Sequence, residues 1–193
     1  MKDKERRAPA ETCHILMAIR RAKENRVEDM TWRGELCFRE VISDYEEDLA
    51  TLKHRIQRFP GVWRIQKTVN ARSFKTALTK VMVKVIEQPE EVLHKLDLYW
   101  RRCLLSKEAK DERNVLLDID TADKAVIGKV RSLIEKQGPA KIIAETHTPN
   151  GYHIVASSLD TRPFADMKDV TLLNDGYIFI DRIEVKNEYN KSS

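Results

Sequence analysis

The chain has few cysteines and no long apolar run, which argues against a disulfide-rich protein and against a membrane-spanning one. Only Cys13, Cys37 and Cys103 occur among its 193 residues, far apart and without a CxxC motif. An odd number at such spacing argues against a disulfide framework, and no zinc site can be inferred from it. No apolar stretch approaches the roughly 18 residues of a membrane span, and the charged N-terminus is unlike a signal peptide. We therefore expect a cytoplasmic protein.

The residues that are present are typical of a globular protein with a charged exterior. Hydrophobic residues make up 41% and charged residues 34% of the chain, and this length suffices for one domain, or one with an extension. The net charge of +4 suits a nucleic-acid or nucleotide partner without requiring one. Lysine and arginine are concentrated in 1–33 and 53–80, although such runs also arise as solvated helix faces.

The N-terminal half has a mainly helical pattern. Apolar residues at helical spacing predict four helices, over 9–26, 38–59, 71–87 and 90–106. Asn70 or Ser73 can cap the third helix, and alternation within 62–69 predicts a strand. Because the charged link at 107–113 is short, we expect residues 1–113 to form a mainly helical region, with one or more strands, that packs on the core that follows.

The C-terminal half alternates between strands and helices. Strands are predicted at 114–120, 141–147 and 152–156, helices at 122–136 and 162–169, and a hairpin of Val170–Leu173 with Tyr177–Val185 around Asn174-Asp175-Gly176. Without the small strand at 170–173, the order is the β-α-β-β-α-β of RRM-like (ferredoxin-like) folds. We expect an α+β protein with such an antiparallel sheet over 114–187, its first strand lying between the third and the last, and a flexible tail at 188–193.

This topology gathers polar residues from remote segments. Asp118 and Asp120 are two apart on a strand and share a face of the sheet. His153 and Asp181 lie on the two strands expected beside it. Considered one at a time, these residues have ordinary structural explanations. The aspartate pair can be a solvated strand end, His153 a core histidine, and Asp181 an acid in a salt bridge. Together they predict one polar site.

Three carboxylates on one sheet face repel one another unless a cation neutralises them. Oxygen ligands with open positions suit Mg²⁺ or Mn²⁺, which take their remaining ligands from water and substrate phosphates. Two such ions stabilise the attacking and leaving oxygens in nucleotidyl transfer. The pattern therefore indicates a metal-dependent nucleotidyltransferase.

Three short motifs resemble those of the archaeo-eukaryotic primase superfamily, which includes plasmid and phage primase-polymerases and the polymerase domain of bacterial end-joining ligases. They are Leu116-Leu117-Asp118-Ile119-Asp120, Gly151-Tyr152-His153 and Ile180-Asp181, separated by 33 and 28 residues. The resemblance covers roughly residues 114–185, and the catalytic core of that superfamily is RRM-like. Its specificity rests on the order, spacing and strand context of the motifs.

The resemblance implies roles for individual residues. Asp118, Asp120 and Asp181 would be catalytic and would hold Mg²⁺ or Mn²⁺. His153 would bind the phosphates of the incoming nucleotide, together with the loop residues Thr148, Asn150 and Gly151.

The sequence also departs from the family pattern. The lysine of the end-joining members, the basic residue after the histidine and the zinc-binding element are absent. A positive charge could come instead from Arg162, or from Arg72 and Lys75 at a predicted helix start, although exposed surface residues are the alternative explanation.

The resulting hypothesis is a primase-polymerase, as in phage or plasmid replication. It would add NTP or dNTP to a nucleic-acid 3′-hydroxyl, or start a dinucleotide, on a single-stranded template. Replication partner proteins would act in trans. The alternatives are a non-catalytic nucleic-acid-binding protein with the same fold and an interaction protein. Acids stand where RRM domains carry base-stacking aromatics, which disfavours ordinary RRM binding.

Overall fold

The computed structural model describes residues 11–25, 36–42, 45–157 and 159–186. These residues form an α+β protein with two antiparallel sheets and five α-helices. None of the described helices is long and apolar enough to cross a membrane. The predicted tail at 188–193 lies outside the described residues.

The chain divides into two compact units. Within the described residues, the first comprises 11–14 and 71–112, and the second comprises 15–70 and 113–186. One junction, between Glu112 and Arg113, lies one residue before the predicted boundary between 1–113 and 114–187. The second unit also contains much of the N-terminal half, which the predicted division had assigned to a separate region.

The first unit is a small helical layer with a short β-bridge. The start of strand β1 (Thr12–Arg20) pairs with strand β4 (Arg72–Ser73). Helix α2 (Phe74–Glu87) follows at once, because the Ser73 hydroxyl accepts a hydrogen bond from the Thr76 N–H at 3.2 Å. This confirms the predicted third helix and its cap.

The other helices of the first unit are shorter than predicted. The helix expected over 90–106 is two helices, α3 (Pro89–His94) and α4 (Leu96–Leu104), separated at Lys95. A 3-10 turn, Lys107–Ala109, occupies the predicted link.

The first sheet of the second unit has the order β2-β1-β3-β9. Its further strands are β2 (Leu36–Ile42), β3 (Gly61–Thr68) and β9 (Tyr177–Val185). Helix α1 (Tyr45–Ile56) covers one face, where Leu16, Ala18, Leu52, Ile56, Trp63, Ile65 and Val185 form a buried cluster.

The second sheet has the order β6-β7-β5-β8, with every neighbouring pair antiparallel. Its strands are β5 (Val115–Ile119), β6 (Ile142–His147), β7 (Tyr152–Ala156) and β8 (Val170–Leu173). Helix α5 (Lys124–Glu135) covers one face and buries a core that includes Leu117, Ile119, Ile127, Val130 and Ile154.

The uncovered faces of the two sheets meet at a smaller apolar cluster. It is formed by Val69, Leu116, Val155 and Ile178. The two strand-and-helix layers therefore face each other through their helix-free sides.

One predicted helix of the N-terminal half is wrong, and another is only partly right. The segment predicted as a helix over 9–26 contains strand β1, because Ile15 to Ala18 are all buried and their continuous apolar run hides the alternation of a strand. The helix predicted over 38–59 begins only at Tyr45, and strand β2 precedes it. The described part of 1–113 thus holds the four strands β1 to β4 as well as the helices α1 to α4, and the strand predicted at 62–69 is confirmed as β3.

The predicted hairpin at the C-terminus is also wrong. Strand β8 pairs with β5, and strand β9 pairs with β3 of the other sheet, so the Asn174-Asp175-Gly176 turn passes between sheets. The last strand therefore does not lie beside the strand of the aspartates. The helix expected over 162–169 is only a 3-10 turn, Arg162–Phe164.

Candidate functional site

Asp118 and His153 lie side by side on the helix-free face of the second sheet. They are directly opposite each other in the β5–β7 ladder, while Leu117 and Ile119 on either side of Asp118 pack toward α5. The His153 Nε2 lies 3.2 Å from Asp118 Oδ1. The histidine is buried, whereas the Asp118 side chain is 34% exposed. One oxygen of the Asp118 carboxylate is therefore in contact with His153, and the carboxylate is still accessible to solvent.

Hydrogen bonding fixes the tautomer of His153. Its Nδ1 accepts the backbone N–H of Phe179 in β9 at 3.1 Å. An accepting Nδ1 carries no proton, so a neutral ring has its proton on Nε2, where it is donated toward Asp118. The same ring thus joins β7 of one sheet to β9 of the other.

The loop before His153 packs tightly against the end of β5. The Thr148 N–H donates to the Gly151 carbonyl at 2.9 Å and closes a turn. A Cβ added at Gly151 would lie 1.9 Å from the Ile119 carbonyl oxygen and 2.9 Å from the Thr121 nitrogen. Only glycine allows this approach. Gly151 thereby holds the loop beside Asp120.

A cavity of about 400 Å³ lies between the facing sides of the two sheets. From the second sheet and its loop, the lining residues are Leu116, Asp118, Asp120, Thr148, Asn150, His153 and Leu173. From the first sheet and the turn before β9, they are Met17, Arg21, Arg64, Gln66, Asp175, Gly176, Tyr177 and Phe179. The cavity thus combines carboxylates, two guanidinium groups and aromatic rings.

Asp181 does not line this cavity. It pairs opposite Ile65, which packs against α1, and its carboxylate lies 2.7 Å from the Lys53 Nζ of that helix. Phe179, two residues earlier, faces the cavity, and a β-bulge separates the two positions. With the extra residue Ile180 at the bulge, Asp181 pairs with Lys53 and lines a second cavity beside Arg64, Asn150 and Phe179.

Across the part of the chain that the structure describes, no three His, Cys, Asp or Glu side chains are grouped to hold one ion. The cavity brings Asp118, Asp120 and His153 together with the predicted loop residues. A ligand set of Asp118, Asp120 and Asp181 stays a prediction.

The structure adds three residues that the sequence did not single out. Arg21 and Arg64 line the cavity, and Arg64 forms a largely buried ion pair with Glu24. The sequence signal that could have identified Arg64 is the alternation of polar and apolar residues in VWRIQKT. Asp175 also lines the cavity. Its position in a typical turn sequence, Asn174-Asp175-Gly176, accounted for the residue and gave no reason to predict a site there.

Arg72 and Lys75 belong to the first unit. Arg72 is only 1% exposed and forms β-bridges with Cys13 and Lys110, while Lys75 is exposed in the first turn of α2. Their predicted contact with nucleotide phosphates stays a prediction. Arg162, the other cationic candidate, pairs with Asp160 at 2.7 Å.

The chain was compared with protein-family models, with curated proteins and with solved structures, and it matches none of them. The candidate function therefore rests on the geometry of the site and on the motifs.

Proposed function

We propose that the protein is a metal-dependent nucleotidyltransferase of the primase-polymerase type. The observation that carries the proposal is the cavity in which Asp118, Asp120 and His153 meet Arg21 and Arg64. Carboxylates and guanidinium groups that lie close together ordinarily form ion pairs with each other. Here Asp118 has His153 as its neighbour and Arg64 has Glu24, so the two charge types line one space from separate sheets.

The donor set of the cavity suits a hard divalent cation. Asp118 and Asp120 offer carboxylate oxygens, and Thr148 and Asn150 add hydroxyl and amide oxygens nearby. Mg²⁺ is usually held by one or two carboxylates and completes its ligands with water and substrate phosphates. Two carboxylates are therefore enough, and Mg²⁺ or Mn²⁺ would neutralise charge on the transferred phosphoryl group.

The protein groups around this position would bind and orient a nucleoside triphosphate. Arg21 and Arg64 are suited to phosphate oxygens, because guanidinium groups make paired hydrogen bonds to them. His153 holds Asp118 in place through its Nε2–H and offers no second donor while Nδ1 accepts from Phe179. Its primary task in this arrangement is to position Asp118, and a contact with phosphate would require the Nε2–H to leave the carboxylate.

The strand order supports the RRM-like part of the proposal. In the second sheet, β5 lies between β7 and β8, and helix α5 crosses from β5 to β6. Ferredoxin-like sheets have this order, with a 3-10 turn here in the place of the second helix. Asp118 on β5 and Asp120 just after it then lie on the helix-free face, at the cavity where a template and a nucleotide would meet.

Binding of Mn²⁺ tests the proposal without depending on activity. We expect wild-type protein to bind Mn²⁺ more tightly when a non-hydrolysable nucleoside triphosphate is present, as measured by the loss of the free-ion EPR signal. Asp118→Asn and Asp120→Asn should each weaken this binding at least tenfold, a free-energy loss of about 1.4 kcal/mol. Asp166→Asn is the matched control, because Asp166 is exposed and does not line the cavity. Unchanged affinity in both site variants would defeat the proposal.

A further inference from the structure

Gln66 is a buried polar residue whose side chain lacks a partner within the described ranges. It lies in β3 and is only 8% exposed. Its carboxamide forms no hydrogen bond with any group of the residues that the structure describes. A buried amide without a hydrogen bond is costly, and native proteins keep few of them. The open hydrogen-bonding capacity of Gln66 therefore points to a ligand.

Gln66 belongs to the wall of the cavity that contains the carboxylates. It lies directly opposite Met17 of β1 and Phe179 of β9, and all three residues line that cavity. The preceding residue, Ile65, packs instead on the α1 side of the sheet. Because directly opposed residues of neighbouring strands project from the same face, Met17, Gln66 and Phe179 form one row on the cavity face of the first sheet.

Phe179 provides an aromatic ring next to the free carboxamide. Its backbone N–H donates to His153 Nδ1, and its side chain is half-buried. Among the described residues, the ring has no contact with another aromatic ring or with a cationic group. An aromatic ring stacks on a nucleobase, and an amide beside it forms hydrogen bonds with the polar groups of the same nucleoside. The row of Gln66 and Phe179 therefore suits a nucleoside.

Arg64 relates this row to the phosphate groups of a nucleotide. It lies two residues before Gln66 on β3 and lines the same cavity. Residues two apart on a strand share a face and are roughly 7 Å apart. In a nucleotide the sugar follows directly after the phosphates. A nucleotide whose phosphates bind Arg64 and a metal ion at Asp118 and Asp120 therefore brings its sugar toward Gln66.

We propose that Gln66 binds the ribose hydroxyls of the incoming nucleotide and selects ribonucleotides over deoxyribonucleotides, an assignment that rests on the proposed function. The Gln66 carbonyl oxygen accepts a hydrogen bond from one hydroxyl, and its amide N–H donates to the other. The base edge is the other polar part of a nucleoside, but in the proposed reaction it pairs with a template. A residue that contacts every incoming nucleotide therefore contacts the sugar, while Phe179 stacks on the base.

Titration calorimetry of the wild-type protein with Mn²⁺ and non-hydrolysable triphosphates tests the assignment without a mutation. We expect each ribonucleotide analogue to bind at least about fivefold more tightly than its 2′-deoxy counterpart, with any of the four bases, because the deoxy sugar leaves the buried amide unpaired. Equal affinity for the two sugars, or a preference for one base instead, would overturn the role of Gln66 and leave the proposed function standing. Binding of neither sugar form would overturn both proposals.

Substitutions in the row separate the sugar contact from the base contact. Gln66→Met nearly conserves the side-chain volume and should abolish the preference by weakening only the ribonucleotide. Phe179→Leu should weaken both sugar forms by the same factor, since stacking does not involve the 2′-hydroxyl. Gln57→Met is the matched control, because Gln57 is exposed and does not line the cavity. A ribonucleotide preference that persists in Gln66→Met, with its thermal transition intact, would overturn the proposal.

Discussion

At the scale of single residues, the site depends on which carboxylates face the cavity. Asp118 and Asp120 do so because they alternate with Leu117 and Ile119, which pack on α5. Asp181 carries the third motif of the resemblance, but the bulge in β9 directs it to Lys53. A β-bulge has no recognisable signature in the sequence IFID. The strand could therefore be predicted, but the side of the sheet on which Asp181 lies could not.

Asp181 and its neighbours provide a test of this assignment. We expect Asp181→Asn and Lys53→Met to lower the thermal stability by similar small amounts, since exposed pairs contribute roughly 0.2–1 kcal/mol and both side chains are 39% exposed. Neither substitution should change Mn²⁺ affinity more than about twofold, whereas Asp175→Asn, inside the cavity, should change it more. Loss of Mn²⁺ binding in Asp181→Asn alone would instead make that carboxylate a ligand.

Two glycines should respond to alanine with opposite signs. At Gly151 a Cβ meets the Ile119 carbonyl, so the loop must move, and we expect Gly151→Ala to lower the free energy of unfolding by about 1–3 kcal/mol. At Gly128, within helix α5, a Cβ meets nothing within 4 Å, and Gly128→Ala should raise it by about 1 kcal/mol. Chemical denaturation measures both. A neutral Gly151→Ala would contradict the close packing of the loop on β5.

At the scale of elements, the sequence predicted best where local signals are strong. The Ser73 cap and the alternation of β3 identified α2 and β3. Strand β1 was mistaken for a helix because it is buried on both faces and shows no alternation. The turn before β9 was predicted from its local sequence. The pairing partners of β8 and β9 depend instead on how the two sheets pack, which the local sequence does not reveal.

One contact between elements gives a pH dependence with a defined sign. Hydrogen bonds from Lys80, from its own backbone N–H and from Ser106 lower the pKa of Glu108 to about 2 from an ordinary value of 4.5. A lowered carboxyl pKa stabilises the folded state above pH 4.5, and the contribution is lost as the pH falls toward 2. Glu108→Gln should therefore lower the melting temperature at pH 7, but only slightly, because the Glu108 side chain is 64% exposed and solvent screens the pair.

The difference between Glu108→Gln and the wild type should shrink from pH 4.5 downward and vanish near pH 2. Lys80→Met removes the same pair from the other side and should give the same profile of melting temperature against pH. A difference that stays constant over this range would show that the Lys80–Glu108 pair does not stabilise the fold.

At the scale of the whole molecule, the site arises from two sheets that the sequence did not separate. Asp118, Asp120 and His153 could be predicted together because β5 and β7 are neighbours in one sheet. Arg21 and Arg64 could not, because they reach the cavity from β3 and the end of β1 in the other sheet. Their position depends on packing between layers, for which the chain offers no local motif.

The second unit should fold and bind metal without the insertion of residues 71–112. The two ends of this segment leave the second unit at neighbouring points, since Asn70 Oδ1 accepts the Asn114 N–H at 2.7 Å. Replacing 71–112 by a short glycine-serine linker should preserve a cooperative thermal transition and Mn²⁺ affinity within a few-fold. Loss of the transition would show that the unit is not independent.

The most direct test of the central claim is incorporation of labelled nucleotide on primed and unprimed single-stranded templates with Mg²⁺ or Mn²⁺. Wild-type protein should extend or start a strand, and Asp166→Asn should do the same. Asp118→Ala should abolish the product, because it removes a carboxylate on which the proposed metal site depends. Equal product from wild type and Asp118→Ala, or none from the wild type, would contradict the account.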